Sequence, residues 1–216
     1  MQSTRITAVR HGETDWNQSG RIQGHTDVLL NARGMWQARQ VACALQDEAF
    51  DALYSSDLQR AWQTAQSLGE QIRHAPVPQP ALRERAFGVL EGHTATQIAE
   101  QFPDIALPWQ QRDLHFTPEH GESLLDLHER VLQGVAHLAQ AHVDAHIVLV
   151  THGGVLDILY RHATGQGLDA PRTWTIENAS IHRFLWSPDA FTLLAWGDIA
   201  HLEDGPATLA LDEGIA

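Results

Sequence analysis

Two histidines in this sequence are each set in a turn of small residues. His11 lies in the run Arg-His-Gly-Glu-Thr at residues 10–14, and His152 lies in Thr-His-Gly-Gly at residues 151–154. An imidazole can act as a nucleophile or exchange a proton near neutral pH, and a guanidinium beside it can bind an anion. A single histidine in such a place is most often structural. Two histidines in matching contexts, the first preceded by Arg10, predict a pair that takes part in chemistry.

Each of these turns follows a short apolar run that is typical of a β-strand. The runs are residues 6–9 before His11 and residues 147–150 before His152. Both histidines would therefore emerge at the carboxyl ends of strands, where open α/β sheets form their ligand crevices. We expect the two imidazoles at the same rim of one sheet.

The rest of the chain alternates candidate strands with candidate helices. The other predicted strands are residues 52–55, 181–186 and 192–196, and the predicted helices are residues 57–72, 96–101, 122–142 and 155–163, with a further helix from the N-cap Asn31 to about residue 49. Such an order is expected for a sheet covered by helices on both faces. The sequence predicts a three-layer α/β/α fold with a mostly parallel central sheet.

One stretch, residues 75–121, departs from this alternation. It holds six of the nine prolines and only one short predicted helix, which is typical of an irregular insertion. We expect it to cover the active site at the carboxyl end of the sheet as a lid. A length of 216 residues with 43% hydrophobic composition fits a single domain over residues 1–216.

Composition also excludes several classes of function. The longest apolar runs are too short to span a bilayer, and residues 1–10 lack the apolar core of a signal peptide. We therefore expect a cytoplasmic protein that does not bind a membrane. A formal net charge of −13 disfavours nucleic-acid binding, which needs a broad basic face.

All 14 basic residues are arginines. A chain without lysine can form neither a Schiff base nor a P-loop with its lysine, so these two chemistries are excluded. The single cysteine, Cys43, lies in a helical pattern and is predicted to be a small buried apolar residue.

Six motifs in order along the chain resemble the histidine phosphatase superfamily, in its phosphoglycerate-mutase-like branch. They are the segment from Arg10 to Ala38, the run Ser55-Ser56-Asp57-Leu58-Gln59-Arg60-Ala61, Leu82-Arg83-Glu84 with Phe87-Gly88 and Glu91-Gly92, Gly121-Glu122-Ser123, Thr151-His152-Gly153-Gly154, and Asn178-Ala179-Ser180. Together they extend over nearly the whole chain. The resemblance implies the superfamily's fold and a reaction on a phosphate monoester.

The resemblance also implies a role for each matching residue. His11 would attack phosphorus and form a phosphohistidine, which water then opens. The residues that would contact the phosphate or the substrate are Arg10, His11, Asn17, Gln23, Gly24, Arg60, Glu84, His152 and Gly153. Guanidinium groups bind phosphate through two parallel hydrogen bonds, which suits Arg10 and Arg60 to this role. His152 would stabilise the transferring phosphoryl group.

Glu84 matches the superfamily's general acid. It would give a proton to the leaving alkoxide and then act as a base toward the incoming water. The predicted catalytic set is therefore His11, Glu84, His152, Arg10 and Arg60, and neither a metal ion nor a cofactor is predicted.

Two reactions of this superfamily have to be distinguished. A cofactor-dependent phosphoglycerate mutase needs extra cations for a carboxylate and a second phosphate, and in the mutases an insertion after the acid motif carries a lysine and an arginine pair. Here the chain has no lysine and, between Gly92 and Gly121, a single arginine, Arg112. We therefore favour a phosphatase that acts on a small phosphorylated metabolite, with the mutase as the alternative.

The insertion and the sheet edge suggest further features. Phe102, Leu107, Trp109 and Phe116 predict a partly apolar pocket beside the phosphate site. A homodimer could form through the sheet edge near residues 75–80. A protein phosphohistidine phosphatase and a regulatory binding module are minor alternatives, and the completeness of the catalytic set argues against the binding module.

Overall fold

The computed structural model describes residues 2–203. Its centre is a six-stranded sheet in the order β3-β2-β4-β1-β5-β6. The strands are β1 (Thr4–Arg10), β2 (Ala52–Ser55), β3 (Val77–Pro78), β4 (His146–Thr151), β5 (Ile181–Ser187) and β6 (Ala190–Asp198). Strands β1 to β4 run parallel to one another, whereas β5 is antiparallel to β1 and β6 is antiparallel to β5. The predicted, mostly parallel sheet is confirmed.

Seven helices of the described chain surround or extend this sheet. They are α1 (Asp15–Gln18), α2 (Ala32–Leu45), α3 (Gln59–Ile72), α4 (Ala95–Gln101), α5 (Pro103–Gln110), α6 (Leu124–Ala141) and α7 (Gly153–Thr164). No helix within residues 2–203 is both long and apolar enough to cross a membrane.

Successive side chains of the central strands pack alternately against the helices on the two faces of the sheet. On β4, Ile147 and Leu149 pack into a cluster with α6 and α7. The intervening Val148 and Val150 pack with α2 and α3. Because successive side chains of a strand point to opposite faces, this division produces the three predicted layers.

The structure adds α1 and β3, which the sequence analysis did not predict, and it corrects three further details. The helix capped by Asn31 ends at Leu45 rather than near residue 49. Helix α5 was missed because it contains two prolines, which disfavour a helix. Pro103 occupies the first turn, where no backbone N–H is needed, whereas Pro108 lies inside the helix. Cys43 is exposed rather than buried, since the buried face of α2 is formed by residues such as Val41, Ala42 and Leu45.

Residues 75–121 form a small apolar cluster together with Ile22 from the loop after β1. Its buried members are Ile22, Phe87, Leu90, Ile98, Ala106 and Trp109, with Phe102 and Phe116 packed against them. Trp109 is only 3% exposed and Leu107 is 57% exposed. The structure therefore corrects the predicted apolar pocket: the aromatic side chains pack inside the insertion. The role of this segment as a lid stays a prediction. Of the acidic stretch that follows Asp198, residues 204–216 lie outside the described residues.

A buried ion network joins the end of this insertion to α7. Arg112 Nη2 and Arg161 Nε each donate to Asp157 Oδ2, at 2.9 and 2.8 Å. Arg112 also donates to the carbonyl of Leu168 at 3.0 Å. All three charged side chains are at most 5% exposed, so this contact fixes the insertion against the main sheet and helix layers.

Candidate active site

The structure brings His11 and His152 together at one rim of the sheet. Strands β1 and β4 are parallel neighbours whose register pairs Arg10 with Thr151, so the residues that follow lie side by side. The centroids of the two imidazole rings are 5.1 Å apart. Both rings are buried, which places the pair inside a crevice at the carboxyl ends of the strands.

The ring of His11 is oriented by its own turn. Its Nδ1 lies 2.7 Å from the carbonyl oxygen of Gly12, and a carbonyl can only accept, so Nδ1 carries the proton and Nε2 holds the lone pair of the neutral ring. Burial, followed by the charges of Arg60 and Arg10, holds the pKa of His11 well below its ordinary value. His11 is thus a neutral imidazole with Nε2 available for attack.

His152 is held by a residue that sequence reasoning did not single out. A hydrogen bond of 2.7 Å joins His152 Nε2 to Ser56 Oγ, and Ser56 follows β2 directly. Burial, followed by the charges of Arg60 and Arg10, holds the pKa of His152 well below its ordinary value. The second imidazole is therefore also neutral, with its ring fixed from the β2 side.

Arg10 and Arg60 supply the positive charge of the site. Arg60 lies in the first turn of α3 and donates to the carbonyls of Gly24 at 2.8 Å and Thr26 at 3.1 Å. Arg10 ends β1 and donates to the carbonyl of Ile176. Both side chains are buried. Two guanidinium groups beside two neutral imidazoles form an electropositive site, and such a site suits an anion.

Glu84 reaches the same rim from the insertion. Its Oε2 accepts from the backbone N–H of Gly154 at 3.0 Å, and its Oε1 accepts from that of Arg85 at 2.8 Å. Gly154 is the second residue of α7, two positions after His152. A β-carbon on Gly154 would lie 2.1 Å from Glu84 Oε1, so the contact requires glycine at this position. Gly153, the first residue of α7, is also buried.

The loop after β1 carries the other predicted contact residues. Asn17 Oδ1 accepts from the backbone N–H of Thr14 at 3.0 Å and from Asn178 Nδ2 at 3.3 Å. Gln23 Oε1 accepts from Thr14 Oγ1 at 3.0 Å. Gly24 has a φ of +51°, which favours glycine. The structure places all three in the buried polar network around the site, and their contact with a substrate stays a prediction.

Several supporting residues escaped the sequence analysis because their roles depend on distant parts of the chain. Asn178 Nδ2 donates to the carbonyl of His11 at 3.1 Å, and Thr64 Oγ1 accepts from the backbone N–H of Gly12 at 3.1 Å. His25 Nε2 donates to the carbonyl of Glu84 at 2.9 Å. Ser56 and Asn178 gave a signal only through their place in two of the family motifs. Within residues 2–203, no group of three or more His, Cys, Asp or Glu side chains could hold a metal ion.

Comparison with known proteins identifies the family. The profile of the histidine phosphatase superfamily (branch 1) matches residues 6–199. The chain is 37% identical over 204 residues to phosphoglycerate mutase-like protein 4 of Arabidopsis thaliana, covering 92% of this chain and 87% of that protein. It is 36% identical over 203 residues to the metal-independent phosphoserine phosphatase of Arabidopsis thaliana, covering 92% of this chain and 83% of that protein.

A solved structure gives the same result for the fold. The mycobacterial glucosyl-3-phosphoglycerate phosphatase in complex with VO3 has a TM-score of 0.78 and 31% sequence identity, covering 89% of this chain and 98% of that chain. The resemblance seen in the six motifs is therefore confirmed. The chain belongs to the histidine phosphatase superfamily, branch 1, and is a phosphatase of the histidine type that acts on phosphate monoesters.

Proposed function

We propose that this protein hydrolyses a small organic phosphate monoester through a covalent phosphohistidine on His11, without a metal ion. The observation that carries the proposal is the hydrogen bond from His11 Nδ1 to the carbonyl of Gly12. It leaves Nε2 as the lone-pair atom of a neutral ring that lies among His152, Arg10 and Arg60.

In the first step, His11 Nε2 attacks phosphorus in line and the bond from phosphorus to the leaving oxygen breaks. Arg10 and Arg60 stabilise the charge that spreads over the non-bridging oxygens, and His152 and Asn17 add neutral donors. Glu84 gives its proton to the leaving oxygen, so the alcohol departs neutral. The products of this step are the alcohol and the phosphohistidine.

In the second step, water attacks the phosphohistidine. The carboxylate of Glu84 accepts one proton of the water while the bond between phosphorus and Nε2 breaks. Inorganic phosphate leaves, and His11 returns to its neutral form. Gln23, Gly24 and Gly153 are proposed to contact the substrate around this centre.

The relatives support a small organic phosphate as the substrate class. One is named as a phosphoserine phosphatase and one as a glucosyl-3-phosphoglycerate phosphatase, and both names specify phosphate esters of small molecules. For the present chain we propose the class and not a particular compound.

A phosphoglycerate mutase is the alternative, since one relative is named phosphoglycerate mutase-like. Mutase chemistry needs further cations beside the phosphate site. The two arginines between Glu84 and Gly121 are Arg85 and Arg112, which are 1% and 4% exposed. Arg85 donates to the carbonyls of Glu122 and Phe116, and Arg112 is bound to Asp157. Both side chains have partners within the fold, and the sequence has no lysine that could add a further cation, so the phosphatase is favoured.

The decisive experiment measures phosphate release by the purified protein with a chelator present. The panel contains phosphoserine, sugar phosphates, p-nitrophenyl phosphate, and 3-phosphoglycerate with and without 2,3-bisphosphoglycerate. We expect release of inorganic phosphate that is lost in His11→Ala, with the ranking of the panel indicating the substrate. Bisphosphate-dependent formation of 2-phosphoglycerate without net phosphate release would instead establish the mutase.

Inactivity on the whole panel would favour the minor alternatives, a protein substrate or a regulatory binding role. A cytoplasmic location and a homodimer also stay predictions. The proposed dimer edge is β3, where Val77 is 47% exposed. Sedimentation of the wild-type protein and of Val77→Asp would test the dimer.

A further inference from the structure

We propose that Arg130 positions Glu84 for proton transfer, a role that rests on the proposed function. Arg130 lies on α6, outside the predicted catalytic set. Its Nη1 donates to the carbonyls of Ala81 and Arg83, both at 2.9 Å. Its Nη2 donates to the carbonyl of Glu84 at 3.1 Å and to Glu122 Oε1 at 2.5 Å. The four N–H bonds on the two terminal nitrogens are all used within the protein.

These contacts belong to a larger restraint on the segment that ends in Glu84. The carbonyls of residues 81–84 each accept a hydrogen bond from a side chain. Thr151 Oγ1 donates to the carbonyl of Leu82 at 2.8 Å, and His25 Nε2 shares the carbonyl of Glu84 with Arg130. The segment begins in a single 3-10 turn at Pro80–Leu82 and pairs with no strand of the described chain, so side-chain donors fix the path of its carbonyls.

Helix α6 packs closely against residues 81–84 because it carries a glycine at the point of contact. Gly134, one turn after Arg130, faces the same segment, and a β-carbon there would lie 2.5 Å from Ala81 Cβ. The small residue lets the helix approach closely, and the approach brings Arg130 within reach of three carbonyls. Glu122 holds the guanidinium from the other side. Two positions on one face of α6 thus serve the same segment.

We expect Arg130 to act by fixing the position of Glu84 and not by contacting the substrate. Since the terminal nitrogens of Arg130 are occupied by the protein, Arg130 is a positioning residue. Proton transfer needs the carboxyl group within hydrogen-bond reach of the leaving oxygen, and a small displacement of a catalytic group can cost much of its effect. A planar guanidinium can hold several acceptors at fixed angles. A lysine carries only three donors on one atom.

The test compares two substrates that differ in their need for an acid. An alkyl phosphate has a poor leaving group and needs protonation, whereas p-nitrophenyl phosphate needs little. For Arg130→Lys we expect kcat/KM to fall about tenfold for the alkyl ester and less than about threefold for the aryl ester, a part of the ~10² that general acids contribute. Arg130→Met should show the same selectivity more strongly.

Arg183→Met is the matched control. Arg183 is also a half-buried arginine in an ion pair, with Glu48 at 2.5 Å, but on strand β5. We expect it to leave the ratio of the two rates unchanged. If Arg130→Lys lowers kcat/KM by the same factor for both substrates, the proposal is overturned. This outcome does not depend on whether Arg130→Met folds.

A double variant separates this inference from the proposed function. If Arg130 acts through Glu84, then Arg130→Lys should cause no further selective loss in a Glu84→Gln background. An additive loss would mean that Arg130 acts by another route. If Glu84→Gln loses more activity on the alkyl ester than on the aryl ester but Arg130→Lys does not, only the role of Arg130 is overturned. Wild-type protein that releases no phosphate, or a Glu84→Gln protein that is slowed equally on both substrates, would overturn both.

Discussion

Gly154 donates its backbone N–H to the carboxylate of Glu84 at 3.0 Å, with no room between them for a side chain. The contact joins the insertion to the first turn of the helix that follows His152. The first turn of a helix favours negative charge because its N–H groups are unpaired and point outward. The first turn of helix α7 therefore holds the carboxylate of Glu84 close to His152, which directly precedes the helix.

The first prediction is that Gly154→Ala displaces Glu84. The added β-carbon would lie 2.1 Å from Oε1, so the carboxyl group has to move. We expect kcat for an alkyl phosphate to fall about tenfold or more, within the range for loss of a general acid. Steady-state kinetics measure this, and p-nitrophenyl phosphate serves as the internal control. An unchanged ratio of the two rates would show that the proton comes from elsewhere.

The second prediction concerns Ser56, which holds the ring of His152. Ser56→Ala removes that hydrogen bond, which is worth ~1 kcal/mol, and lets the imidazole rotate. We expect kcat/KM to fall about tenfold while the protein stays folded. Ser55→Ala is the matched control, because Ser55 is also buried but donates only to the carbonyl of Ser56. The role assigned to Ser56 fails if both variants behave alike.

The third prediction concerns pH. The pKa of His11 is held well below its ordinary value by burial and then by Arg60 and Arg10, so lowering the pH through about 6.5 should leave the ring neutral. Removing one cation in Arg60→Met should raise the pKa of His11 toward that value.

NMR titration of the labelled imidazole in the two proteins measures the pKa directly, independently of the activity that Arg60→Met loses. Arg183→Met, which removes an arginine paired with Glu48, should leave the His11 titration in place. A lower pKa in Arg60→Met than in the wild type would contradict the assigned electrostatics.

The fourth prediction concerns stability. Asp157→Asn leaves Arg112 and Arg161 buried without their shared carboxylate. Breaking a buried pair by removing one partner costs about 3–5 kcal/mol, and we expect a loss of that size in the free energy of unfolding. Urea denaturation measures it. Glu48→Gln removes a carboxylate from the more exposed pair with Arg183 and should cost about 0–1 kcal/mol. Similar losses in both variants would refute the structural importance of the network.

The central fold could be predicted because its signals are local. The apolar runs before His11 and His152 mark buried strands, and Asn31 marks the start of α2, where its side chain accepts from the N–H of Gly34 at 2.8 Å. Two histidines after parallel strands must lie at the same rim, whatever the rest of the chain does. The pairing of His11 with His152 followed from that rule.

The remaining parts depend on contacts that a linear pattern does not contain. Ser56 and Arg130 are ordinary polar residues until the fold places them against His152 and Glu84. Trp109 was predicted to line a pocket, but its side chain is buried in the apolar cluster of the insertion. Cys43 follows the apolar pair Val41 and Ala42 in sequence, yet the helical period turns it to the solvent.

The pairing of β1 with β4 has a consequence for how the chain is made. Arg5 pairs with His146, so the middle of the sheet joins the start of the chain to a segment synthesised much later. Contacts between distant residues form slowly because a long loop must close first. During translation, β1 leaves the ribosome long before its partner exists and has to remain unaggregated in the meantime. We therefore expect nascent chains that stop before residue 146 to lack the native sheet, and catalytic activity to appear only after β4 and His152 have been synthesised.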